Sequence, residues 1–122
     1  MTTDAAREAQ ALMLSASMSS FVPASSAYVA SVVPDFENAV VSIALIQPPV
    51  RDPNIPNFTQ ARALSVLEAI RRGVPLPPVE VDVPPHALGA HTYRLRDGFH
   101  RFHLSAVLGF THLPVVIKPT ST

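Results

Sequence analysis

The chain has 122 residues, 48% hydrophobic and 15% charged, which is enough for one domain with a modest core and too apolar for a disordered chain. Its formal charge is zero, so no single-sign field announces a nucleic-acid or membrane partner, and the lack of cysteine excludes disulfides, thiolate metal sites and cysteine nucleophiles. The charge is uneven, however: residues 51–118 hold eight basic and five acidic side chains, whereas residues 1–50 hold one and four, so the later part can attract an anion locally. The N-terminus carries Asp4 and Glu8 rather than a basic leader, and no apolar run has the length of a membrane span, so a cytoplasmic protein is expected.

Residues 4–18 space Ala5, Ala9, Leu12, Met13 and Ala16 as a short amphipathic helix, docked on the domain or on a partner. Residues 19–34 are rich in Ser, Ala, Val and Pro and read as an extended connector. "AVVSIALI" at 39–46 is a β-branched apolar run closed by Gln47-Pro48-Pro49, the pattern of one buried strand. A proline-broken loop follows, and then Asn57 with Gln60 resembles a capping box. The next helix places Ala63, Leu64, Leu67 and Ile70 on one face and stops at Gly73.

Val79, Val81 and Val83 alternate with Glu80 and Asp82, which predicts a strand at 79–83 whose polar face is half exposed. "HTYRLR" at 91–96 alternates again. A helix then runs from Phe99 or His100 to Leu108 with Gly109 as its stop, and "LPVVI" at 113–117 is the last strand. Phe99, Phe102 and Phe110 read as packing residues, and Tyr28 and Tyr93 receive no role.

The chemistry concentrates at "DGFHR", residues 97–101. Asp97-Gly98 allows a sharp turn off the strand, and the helix that follows presents its positive dipole end there, a natural seat for an anion. His100 and Arg101 add two donors, one of fixed charge, and Gly98 would let an oxyanion approach the backbone. Phosphate suits that arrangement. A turn in which Arg101 pairs with Asp97 or Glu68 explains the same residues without a ligand. His91, His100, His103 and His112 show no framing pattern for a metal, and none is expected.

"YRLRDGFHRFHLSAVLGFTHLPVVI" resembles the signature of the ParB/sulfiredoxin superfamily, and "VSIALIQPP" followed by "ARALSVLEAIRRGVPLPPVEV" is similar to the family's first strand, helix and second strand. The resemblance covers about residues 40–118. It implies an α/β (α+β) fold, a small mixed sheet with two main helices, spanning 39–118, with residues 1–38 as an N-terminal helical extension and 119–122 as a tail. It also implies nucleotide binding (ATP, ADP or CTP, with Mg²⁺) by Gly98, Phe99, His100 and Arg101, assisted by Arg62, Ser65 and Arg51. Where sulfiredoxins carry their nucleophilic cysteine this chain has Phe99, so an active sulfiredoxin is not expected. The free-serine kinase branch carries Asp-Gly-His-His-Arg, but its base glutamate falls on Pro48-Pro49 here. If the protein is an enzyme, the resemblance implies NTP hydrolysis or phosphotransfer with His100, Arg101 and Asp97 as catalytic residues. Two alternatives stand beside this. One is a non-catalytic interaction module, a homodimer or a binder of a protein partner through the extension; the other is a ParB-like nuclease acting on DNA.

Overall fold

The computed structural model describes residues 4–48, 57–86 and 88–119. In chain order they form α1 (Asp4–Ser15), β1 (Glu37–Ser42), a 3₁₀ turn (Ile43–Leu45), β2 (Ile46–Gln47), α2 (Gln60–Arg72), β3 (Val79–Asp82), β4 (Tyr93–Asp97), α3 (Phe99–Leu108) and β5 (His112–Ile117). The fold class is the mixed α/β arrangement that the residue pattern implies.

The strands make one sheet in the order β1-β5-β3-β4-β2. β1 is antiparallel to β5, β5 parallel to β3, β3 antiparallel to β4, and β4 parallel to β2. Its two edge strands are therefore neighbours in sequence, joined only by the 3₁₀ turn. Three residues reach about 10 Å at most, so the sheet must curl until its edges nearly meet.

This curl corrects the expectation of a single strand at 39–46. β1 stays in register with β5 through Ser42 and His112, where β5 begins and the partner ends. There the Ser42 hydroxyl accepts the Ala44 N–H at 3.3 Å, Ile43 N–H donates to Thr111 O at 3.0 Å, and the chain turns. Ile46 then pairs with Tyr93 on the opposite edge.

α2 buries Ala63, Val66, Leu67 and Ile70, close to the expected face, and ends at Gly73 in the left-handed region (φ 70°). Its N-cap is Thr59 and not Asn57, and Thr59 makes no side-chain capping bond, so the expected capping box does not form. α3 begins and ends where the glycines predict. Leu67, Leu104 and Leu113 have no exposed surface, each contributing about 1.5–3 kcal/mol by burial.

The extension belongs to the same core. α1 lies against α3 and α2, with Ala9 fully buried and Leu12 and Met13 packed on the cluster. Of the two settings expected for this helix, docking on the domain is the one observed. The connector is pinned as well: Tyr28 is buried, and Ala30 bridges Leu76 in parallel.

Asp82 departs from the expected half-exposed strand face. β3 lies inside the sheet, and Asp82 is 2% exposed. Its cross-strand partner Arg94 forks onto it, Nε to Oδ1 at 3.1 Å and a terminal nitrogen to Oδ2 at 2.9 Å. That carboxylate holds the Arg94 guanidinium above its ordinary value, chiefly through the hydrogen bonds. Burial of a charge at this position is tolerated because it is paired.

Candidate functional site

β4 ends at Asp97, Gly98 turns the chain (φ 116°, ψ 32°), and α3 starts at Phe99. The first bond of the helical ladder runs from Phe102 N–H to Gly98 O at 2.8 Å, so the positive end of the helix dipole lies at this turn. Beside it is a cavity of about 210 Å³, lined by Arg62 and Val66 of α2, by residues 95–97 of β4 and by Gly98 to Arg101. Asp97, Gly98, Phe99, His100, Arg101 and Arg62 thus converge. Ser65 is exposed on α2 and does not line the cavity, and Arg51 lies outside the described residues.

Gly98 makes the expected sharp turn, and packing adds a second reason for glycine there. A Cβ built there would sit 2.6 Å from Val79 Cγ1 and 2.8 Å from Val79 Cβ. The space left by the missing side chain is therefore taken up by β3. Glycine is needed so that the turn packs on the sheet and adopts a positive φ.

His100 is 8% exposed, and its Nε2 accepts the Thr59 N–H at 3.1 Å. The Phe58 ring meets it edge-on, with centroids 5.1 Å apart. Phe99 packs into the same aromatic wall, 4.5 Å from the His103 ring and 5.3 Å from Phe58.

Arg101 has a side chain 17% exposed, and one terminal nitrogen donates to both Pro77 O and Pro78 O at 2.9 Å. Its second terminal nitrogen stands 3.8 Å from Asp97, while Glu68 is engaged by Arg71. Tyr28, given no role by sequence, shares this anchor, its hydroxyl donating to Pro77 O at 2.7 Å. Burial pushes the Tyr28 phenol up to about 12, against the lowering influence of the adjacent Arg101 guanidinium.

Two guanidiniums at the cavity are more open. Arg62 is exposed and makes no hydrogen bond or ion pair among the described residues. Arg96 has a side chain 51% exposed, and among the described residues its ion pair is with Asp82 at 3.8 Å. Arg96 was missed by the sequence reading, although its alternation with Arg94 in "YRLRD" puts two arginines on one strand face next to the turn. Among the described residues, Asp97 is the carboxylate that lines the cavity, its side chain 67% exposed. Among the described residues, no three His, Asp or Glu side chains gather as metal ligands.

No family model and no curated protein matches the sequence. Among solved structures, the chain is similar to the C-terminally truncated chromosome-partitioning protein ParB from Caulobacter crescentus complexed with CTP-γ-S. That alignment has a TM-score of 0.54 and 19% identity, and covers 70% of this chain and 46% of that one. The fold is ParB-like. The same partitioning protein complexed to the centromeric parS site aligns with a TM-score of 0.49 and 17% identity, covering 68% of this chain and 40% of that one. This chain therefore spans less than half the length of the solved proteins it resembles. Among the described residues, no helix is long and apolar enough to cross a membrane.

Proposed function

We propose that the cavity at the start of α3 binds a phosphate-bearing ligand, with a nucleotide as the leading candidate. The observation that carries the reading is the convergence of Arg62 and Arg96, two exposed guanidiniums from different elements, on the cavity at the positive end of α3. Guanidiniums suit phosphate because their planar donors match pairs of phosphate oxygens. The ParB-like fold, one example of which was crystallised with a CTP analogue, supports the same reading. At about 210 Å³ the cavity is smaller than the ~300–1,000 Å³ of drug-sized sites, so it suits the phosphate end of a nucleotide rather than the whole.

In this reading the site residues divide by role. Arg62 and Arg96 contact the anion together with the first turn of α3. Arg101 and His100 build the frame, because their hydrogen-bonding nitrogens are engaged by Pro77, Pro78 and Thr59. This favours binding without turnover by those two side chains. A protein-held Mg²⁺ does not fit the described residues, because Asp97 has no second carboxylate beside it at the cavity. Magnesium enters only as the counter-ion of a nucleotide.

Calorimetric titration with CTP, ATP and ADP in Mg²⁺ tests the proposal. Arg62→Ala and Arg96→Ala are each expected to weaken binding by about 10–100-fold, the loss of one charged hydrogen-bonding group. No heat with any nucleotide from the folded protein, or unchanged affinity in both variants, would overturn it.

A further inference from the structure

His100 shows a geometry that sequence alone does not suggest. A ring nitrogen that accepts a backbone N–H carries no proton, so the imidazole is neutral with its proton on Nδ1. The bond it accepts comes from the N-cap of α2, a residue with no side-chain capping bond of its own. Phe58, just before that cap, closes against the imidazole edge. Arg62 follows the cap by three residues, within the first turn of the helix. The imidazole of α3 therefore holds the turn of α2 that carries Arg62 to the cavity.

We propose that His100 is a positioning residue whose neutral ring latches the start of α2, so that the anion site weakens when the imidazole gains a proton. Protonation turns Nε2 from an acceptor into a donor facing another donor, and the Thr59 bond is lost. Among the described residues, the charged and titratable groups around the ring are Arg101 and His103 on α3, Arg96 and Asp97 from β4, and Arg62 from α2. Glu8 of α1 lies beyond Phe58. The direction of the effect follows from the loss of the Thr59 bond. A histidine that touched the anion would bind it more tightly on gaining charge. The latch has the opposite sign.

The affinity half of this proposal rests on the anion-binding reading above, but the latch itself does not. The test is an NMR titration of the full chain from about pH 8 to about pH 5, across the range where imidazole titrates. It follows the Thr59 amide protection factor and the affinity for inorganic sulfate, which remains a dianion throughout. His100→Gln keeps an acceptor oxygen at similar reach and removes the titration, and His100→Phe removes the acceptor.

On acidification the unmodified protein is expected to lose Thr59 protection by about three- to tenfold, the worth of one hydrogen bond, with sulfate affinity falling in step. His100→Gln is expected to hold both flat, and His100→Phe to lack the protection at every pH. Where His100→Phe does not fold, the flat profile of His100→Gln decides alone. Tighter sulfate binding at low pH, or Thr59 protection that ignores pH, would overturn the latch. If sulfate fails to bind at any pH while Thr59 still follows the titration, the latch stands and the anion site falls.

Discussion

Replacing Gly98 by alanine tests the contact that holds the start of α3 to the sheet. Two costs add at this position. A φ of +116° strains any L-residue, by about 1–3 kcal/mol. The new Cβ also meets Val79 at 2.6 Å and 2.8 Å, distances that require β3 or α3 to move, for another ~1–3 kcal/mol of overpacking. The expected loss is therefore about 2–6 kcal/mol, a large share of the ~6–18 kcal/mol that 122 residues ordinarily supply.

Gly73→Ala is the control, since its φ is +70° and a Cβ there meets nothing within 4 Å, leaving only the conformational cost of about 1–2 kcal/mol. Equilibrium urea unfolding of the two variants reads the difference, which holds the steric part together with the extra strain of φ +116° over +70°. Val79→Ala in the Gly98→Ala background removes Cγ1 but leaves Cβ, so it should restore part of that difference and no more. Equal destabilisation by Gly98→Ala and Gly73→Ala, within about 0.5 kcal/mol, would refute the claim that β3 is packed into the space of the missing side chain.

Arg94→Ala strips the fork from Asp82 and leaves a carboxylate 2% exposed with only Arg96 at 3.8 Å; a loss of about 3 kcal/mol in urea unfolding is expected. Tyr28 gives a pH dependence: its folded value is raised from 10.0 to about 12, so the stabilisation is full below pH 10 and disappears as the pH rises through 12. The loss over that window is about 2–3 kcal/mol by denaturant midpoint, and Tyr28→Phe is expected to remove this part of the dependence. Arg101→Ala should lower stability by about 1.5–3 kcal/mol with no ligand present, because two carbonyls lose a charged donor. Arg62→Ala should change stability by less than ~0.5 kcal/mol while losing nucleotide affinity, so measuring both quantities on both variants separates frame from contact.

The two helices of the domain and the strand–turn–helix around Gly98 were legible in the sequence because each is local. Apolar spacing identifies α2 and α3, and Gly73 and Gly109 end them in the left-handed region, as their type allows. The split of residues 39–46 was not legible. The apolar run passes from β1 into β2 without a break in pattern, and the change of partner at Ser42 depends on where β5 begins, some seventy residues later. The N-cap of α2 failed for a related reason. Asn57 has the side chain that caps helices, yet the Thr59 amide finds its acceptor on α3, forty-one residues away, and no local pattern reports that. Asp82 misled because alternation locates a polar face without saying whether a neighbouring strand covers it.

The residues that the sequence singled out line one cavity, yet His100 and Arg101 are engaged there by backbone groups, and for Arg101 the reason lies in the chemistry of the arginine. A guanidinium offers planar donors that suit phosphate oxygens and backbone carbonyls alike. "PLPP" before β3 holds prolines at 75, 77 and 78, none of which has an N–H; the Leu76 carbonyl takes the Ser31 N–H, which leaves those of Pro77 and Pro78 to be matched by side chains. Unpaired acceptors near a core must find donors, and Tyr28 and Arg101 supply them. Such a run of acceptors next to a strand is visible in sequence and argues in advance for a structural arginine nearby. Arg62 and Arg96 face no such demand. Removing the arginines that the carbonyls claim leaves these two as the cations that a ligand can use, and the cavity between them is where it would be held.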